Sequence, residues 1–124
     1  DFIMKKMQIV SIISLVLCLS ATTAFAWQYD SKLPVAGKTI TTQDMQMKSL
    51  FTIYSFGIRA ASPTCQTFSI SDTKVTKEKT NGMWEEVWTI DACENKIDVP
   101  VTFSESANTF NYTVNPMKVK VNKK

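Results

Sequence analysis

The sequence predicts an α+β fold: one N-terminal helix packed on a four-stranded antiparallel meander, held by one disulfide. Two observations carry that reading. Apolar residues recur at spacings of three and four before Cys65 and at a spacing of two after it. Each two-residue pattern also offers one apolar and one polar row, so the strands share a greasy face that one amphipathic helix can cover.

Composition sets the outer bounds. The 124 residues include 14 Lys plus Arg, 11 Asp plus Glu, three Cys and no His, for a formal charge of +3. This length suits one domain. Without His the commonest general base and metal ligand are gone, and Ser-His-Asp and Cys-His catalysis are excluded. The near-balanced charge argues against a dedicated nucleic-acid binder. Gly37, Gly57 and Gly82 are too scattered for a phosphate-binding loop and no calcium loop occurs, so no metal or cofactor is expected.

The chain starts with a targeting pattern. Met4-Lys5-Lys6-Met7 is basic, Gln8 to Leu19 is mostly apolar, and Ala24-Phe25-Ala26 supplies an A-x-A site. Together they read as a secretory signal peptide over residues 1–26, with residues 1–3 upstream of the first start Met and expected to be untranslated. The competing reading is a retained membrane anchor. That needs ~20 consecutive apolar residues, and Ser20, Thr22 and Thr23 interrupt the run. Leu17 before Cys18 argues against a lipidated cysteine. Cleavage near Ala26 leaves residues 27–124 as a single exported α+β domain, periplasmic or secreted from a bacterium, that meets membrane only through its signal peptide.

Export leaves Cys65 and Cys93, 28 positions apart, and a disulfide is the default in an oxidising compartment. In the loop-entropy picture it stabilises by roughly 3–4 kcal/mol. The rival is a redox or metal pair, but CxxC spacing is missing and two thiols without His make a poor metal site.

Residues 27–38, with Pro34 and Gly37, form an irregular lead. Thr41-Thr42-Gln43-Asp44 is a helix start: a hydroxyl can accept from the amide three residues on, and Asp44 suits the positive helix end. Met47, Leu50, Phe51, Tyr54, Ile58 and Ala61 then form a stripe that predicts a helix over about 42–60. Thr52, Ile53 and Gly57 lower its intrinsic propensity, and Pro63 ends it.

Four strand patterns follow. Their apolar rows are Phe68 and Ile70; Trp84, Trp88, Ile90 and Ala92; Ile97, Val99, Val101 and Phe103; and Phe110, Tyr112 and Val114. Parity constrains the register, because a one-residue slip turns every side chain to the other face. A tight turn at Glu94-Asn95 pairs Cys93 with Lys96 and Ile90 with Val99. A loop pairing Phe103 with Phe110 sets Val101 opposite Tyr112. At the first hairpin Asn81-Gly82 is a strong tight-turn dipeptide. A two-residue turn there mixes the faces and leaves Cys65 roughly 16 Å from Cys93 along the ladder. Setting Cys65 opposite Cys93 restores one apolar face, pairs Phe68 with Ile90, and calls for a longer loop over Lys77 to Asn81. Pro100 cannot donate to a ladder, so it points to a bulge or to a fourth strand that pairs only in part. Residues 117–121 alternate and are a candidate fifth strand with edge lysines.

Few residues carry chemistry. Glu85 and Glu86 are neighbours on a strand and point to opposite faces. In the chosen register Asp72 faces Glu86 with Lys74 beside them, either as a carboxylate pair or as a solvated ion cluster. Trp84, beside the hairpin loop, either packs at the core or lines a ligand or partner surface. The candidate binding surface is therefore Trp84, Glu86, Asp72 and Lys74, and no catalytic residue is assigned. Trp27 and Tyr29 either cap the sheet or mark a docking arm. Lys74, Lys77 and Lys79, and the tail lysines Lys118, Lys120, Lys123 and Lys124, suit screened attraction to anionic lipid or polysaccharide, or plain solubility. Asn111-Tyr112-Thr113 matches a glycosylation sequon, which carries no weight in a bacterial exported chain.

Trp84-Glu85-Glu86-Val87-Trp88-Thr89-Ile90-Asp91-Ala92-Cys93, followed by Ile97 to Phe103, resembles a hairpin of small uncharacterised exported bacterial proteins. Glu94 stands where that pattern has Gly after the Cys. The resemblance implies export and a disulfide, and no activity.

The expected function is a non-catalytic binding or accessory module of the bacterial envelope, whose partner is an envelope protein or a small ligand. The alternatives are a small envelope enzyme, using carboxylates or thiol redox chemistry, and an inhibitor of an envelope-attacking enzyme.

Overall fold

In the computed structural model, which describes residues 27–124, the helix begins where the hydroxyls place it. The expected signal peptide over residues 1–26 lies outside the described residues. Helix α1 (Gln43–Ala60) is capped by Thr42, whose side chain accepts from the Met45 amide at 3.4 Å, and Asp44 lies in its first turn. At the other end the Ala61 amide donates to the Gly57 carbonyl, two residues before Pro63.

The buried face of α1 is not the expected stripe. Leu50 and Tyr54 turn inward as expected and Ile58 and Ala61 pack at the core's margin, but Gln46, Ser49, Ile53 and Gly57 share the buried face while Met47 and Phe51 are exposed. The helix is therefore rotated by one position. Two contacts account for it. Gln46 accepts the Val35 amide at 2.9 Å and donates to the Thr41 carbonyl at 2.7 Å. Gly57 lies so near β3 that a Cβ on it would come within 2.6 Å of Ile90 Cδ1. Hydrophobicity alone places neither a glutamine nor a glycine on the core side.

Strands β2 (Thr67–Thr80), β3 (Met83–Ala92), β4 (Asn95–Ser106) and β5 (Thr109–Val114) form an antiparallel run. The sheet is larger than that meander and mixed. Strand β1 (Gln28–Tyr29) joins β2 in parallel, and β6 (Lys120–Lys123) pairs with β4. The lead is thus partly strand, because the chain doubles back along the free edge of β2. On the outer side of β4, β6 covers Asn95 to Asp98 and β5 covers Val101 to Ser106. Pro100 falls in the gap between them, opposite Val87 of β3. Partial pairing, one of the two arrangements expected at this proline, is the one adopted. A 3₁₀ turn at Pro116–Lys118 carries the chain across the gap.

The first hairpin corrects the expected register. Strand β2 runs to Thr80 and the loop over Lys77 to Asn81 does not form. Asn81-Gly82 makes the two-residue turn, with φ of 53° and 76° at the two positions. Apolar parity is recovered by shifts between Ile70 and Asp72, between Val75 and Lys77, and between Lys77 and Thr80, with the extra residues all on β2. Phe68 then opposes Ala92, and Ile70 opposes Ile90. The second turn lies at Cys93-Glu94 rather than Glu94-Asn95, with Ile90 opposite Ile97. In the third hairpin Phe103 opposes Tyr112 and Val101 opposes Val114. The second and third pairings, and the first over Phe68 to Ile70, are displaced by two positions, so these apolar rows keep their faces; beyond the bulge at Ser71 the first pairing is displaced by three, which turns the following residues of β2 over.

The Cys65–Cys93 disulfide joins the segment after α1 to the β3–β4 turn, with Cα atoms 5.9 Å apart. Between α1 and the sheet lie Leu50, Ile53, Tyr54, Phe68, Trp84, Trp88, Ile90, Ile97, Val99, Val101 and Phe103. Ile70, Phe110, Tyr112 and Val114 are only half-buried at its margin. Among the described residues no helix is long and apolar enough to cross a membrane.

Candidate functional site

The four residues expected to share a surface are split between two faces. Asp72 opposes Thr89, not Glu86, and Glu86 opposes Val75. The extra residue at Ser71 turns Asp72 and Lys74 outward, where both are exposed, and turns Thr73 into the core. Glu86 and Trp84 go the other way and are 0% and 2% exposed. The Asp72–Glu86 carboxylate pair is therefore not formed, and Trp84 and Glu86 line no surface.

Glu86 does organise the interior. Alternation along β3 puts Trp84, Glu86 and Trp88 on one face. The Trp84 indole donates to Glu86 Oε2 at 2.8 Å and the Trp88 indole to Oε1 at 3.1 Å. The Thr41 hydroxyl donates to Oε2 at 2.8 Å. A buried carboxylate is costly unless its lone pairs are used, and here three neutral donors use them. Thr41 and Gln46 carry this network into the lead. A second anchor follows at Thr73, whose hydroxyl donates to the Ala36 carbonyl at 2.7 Å and accepts the Thr39 amide at 3.1 Å. Gly37, at φ +98°, passes so close that a Cβ would come within 2.2 Å of the Thr73 amide. These contacts strap residues 35–41 over the sheet.

Among the described residues Tyr54 is a second buried titratable group. Its hydroxyl donates to the Asp30 carbonyl at 2.7 Å. Burial, chiefly, pushes the phenol up to about 12; the charge of Asp30 adds to this and a backbone bond at Ile70 opposes it.

The surface offers several hollows, one of about 620 Å³ lined in part by Asp72 and Lys74, and an apolar face. A hollow of about 550 Å³ lies between the first turn of α1 and the hairpin turns, lined in part by Asp44, Lys48, Lys79, Glu105 and Asn108. Its charges pair with one another, Asp44 with Lys48 at 3.0 Å and Lys79 with Glu105. The second feature is apolar. Trp27, Tyr29, Met47 and Phe51 are 57%, 36%, 56% and 66% exposed. The Tyr29 ring meets Phe51 edge-on at 5.3 Å and leans on Tyr54 at 5.3 Å. Met47 stands one turn before Phe51 on the same side of α1. Trp27 immediately precedes β1 and is itself exposed.

Of this face, the sequence pointed to Trp27 and Tyr29 as a cap or a docking arm. Tyr29 packs its ring on Phe51 and Tyr54 of α1, and Trp27 is exposed. Met47 and Phe51 were read as core. The signal that would have moved them is the inward phase shared by Gln46, Ser49 and Ile53. Among the described residues no group of three or more His, Cys, Asp or Glu side chains is placed to hold a metal ion. No family model, no curated protein and no solved structure matches this chain.

Proposed function

We propose that this chain is an exported envelope module that binds through the Trp27–Tyr29–Met47–Phe51 face and catalyses no reaction. One observation carries the reading: exposed Tyr29 and Phe51 stand in ring contact, with Met47 one turn before Phe51 and Trp27 just before β1 also exposed, in a fold that buries its other two tryptophans to 2% and 0%. Scattered exposed apolar residues need no explanation, but contiguous ones mark interaction surfaces, and aromatic residues and Met are over-represented there. The non-catalytic part is supported by the separation of Asp72 from Glu86 and by the complete use of Glu86 in the interior.

The test adds purified exported protein back to isolated cell envelopes. Wild type should sediment with them, and a Met47→Ser, Phe51→Ser double variant should remain in solution. Both positions are exposed, so the variant should unfold at the same urea concentration as wild type. Equal retention of the two proteins would overturn the proposal. The redox alternative predicts two free thiols at Cys65 and Cys93 in freshly exported protein, which native thiol titration detects.

A further inference from the structure

We infer that the occupant of the aromatic face is a lipid surface, the headgroup boundary of the membrane across which the chain is exported. This rests on reading that face as a binding face, and names its partner. It adds a second membrane contact to the one expected of the N-terminal segment.

The first argument is the choice of side chains. Trp and Tyr rings are apolar in body and polar at one edge, and they settle at the boundary between headgroups and acyl chains. Trp27 and Tyr29 supply such rings, and Phe51 and Met47 supply plain apolar surface beside them. Partitioning of such a surface scales with the apolar area it buries.

The second argument is position. The Gln28 and Asp30 amides donate to the carbonyls of Gln66 and Phe68 at 2.6 and 3.0 Å, so the chain enters the domain at a fixed point in the sheet, one residue after Trp27. The apolar stretch of the sequence ends at Leu19. Eight residue steps separate Leu19 from Trp27 and reach at most roughly 28 Å when extended. Whenever that stretch occupies a bilayer, the aromatic face is the part of the domain tethered nearest to it.

The third argument is charge. Lys32 and Lys48 lie three positions after Tyr29 and one after Met47, and cleavage near Ala26 would leave an ammonium on Trp27 itself. Asp30 follows Tyr29 and Asp44 lies three positions before Met47, with Lys48 paired to Asp44 at 3.0 Å. The balance favours anionic lipid only slightly, so apolar contact carries the binding. Salt should then weaken it little. Binding by the tail lysines would instead fall steeply with salt.

The test places an indole reporter at Phe51→Trp, and a control at Met117→Trp, in exported protein that also carries Trp27→Phe, so that the remaining native indoles, Trp84 and Trp88, are both buried. Met117 is 90% exposed and lies across the sheet from β1, on the turn between β5 and β6. Both are mixed with vesicles of phosphatidylethanolamine and phosphatidylglycerol whose acyl chains carry bromine, a short-range quencher. Lipid docking predicts strong quenching from position 51 and little from position 117. It also predicts that the Met47→Ser, Phe51→Ser pair lowers vesicle partition by roughly tenfold or more, from the apolar surface removed. Equal quenching at the two positions, or none, would overturn the inference. So would a lipid-free, concentration-dependent dimer that Phe51→Ser abolishes, because a second copy would then be the occupant. If vesicles fail to quench while the double variant still leaves isolated envelopes, the lipid assignment falls and the binding face stands.

Discussion

The carboxylate of Glu86 accepts the indole N–H of Trp84 at 2.8 Å, inside a site where neither residue is more than 2% exposed. Trp88 and Thr41 complete the set, so one side chain of β3 joins two aromatic rings of the same strand to the lead before α1. Replacing an acceptor here by a donor leaves N–H groups facing N–H groups. Glu86→Gln should therefore cost roughly 2–4 kcal/mol, read as a lower urea midpoint. Thr41→Val removes one of the three bonds and should cost roughly 1 kcal/mol. Equal, small effects from both would show that Glu86 is not the centre of the network.

Gly57 gives a sign test. Gly→Ala in a helix ordinarily stabilises by roughly 0.5–1 kcal/mol. Here the new methyl would sit 2.6 Å from Cδ1 of Ile90, a side chain with no exposed surface and no room to turn. Gly57→Ala should destabilise by roughly 1–3 kcal/mol in the wild-type background. Ile90→Val removes that carbon, and Gly57→Ala should then be neutral or stabilising. Thermal melts of the four proteins in this cycle measure the coupling.

Tyr54 links stability to alkaline pH. Its phenol ionises at about 12 in the folded protein, against about 10 in an unfolded chain. Between those values the unfolded state holds fewer protons, so stability falls as pH rises through the window. The contribution should approach roughly 2–3 kcal/mol by its upper end. Urea midpoints at pH 9 and pH 11 should differ more in wild type than in Tyr54→Phe. An identical difference in both would mean that the phenol ionises freely.

The disulfide closes 28 positions of chain. Converting both Cys65 and Cys93 to Ser should cost roughly 3–4 kcal/mol, measured by denaturation under oxidising conditions. The same loss should follow from reducing the wild-type protein, and reductant should leave the double variant unchanged.

Much of this architecture was legible because it depends on neighbours in sequence. Thr42 and Pro63 bracket α1, and Phe68, Trp88, Ile90, Val99, Val101 and Phe103 alternate onto one face. The β3–β4 and β4–β5 registers, and the Phe68–Ile70 end of β2–β3, were displaced by two positions, since parity repeats every two residues and cannot tell one even shift from another; the odd shift beyond Ser71 came from a bulge that parity does not foresee. The Asn81-Gly82 turn was discarded for the same reason: with an unbroken ladder it conflicts with the faces, and only bulges on β2 reconcile the two. The candidate site was less legible. Asp72 and Glu86 were joined by that register and separated by the bulge at Ser71.

What the sequence determined by itself is the α+β class, the span of the helix, the apolar faces of β3, β4 and β5 and the pair of cysteines that bond. These follow from local periodicity and from which residue types can cap, turn or oxidise. Tertiary structure alone decided that Glu86 would receive a hydroxyl from Thr41, 45 positions away. It also decided that α1 would turn Met47 and Phe51 to solvent. The reason is contact depth. How closely a helix approaches a sheet depends on atoms brought together from distant parts of the chain, here Gly57 against Ile90 and Gln46 against Val35. A rotation of one helical position, set by those contacts, exposed the aromatic face on which the proposed binding rests.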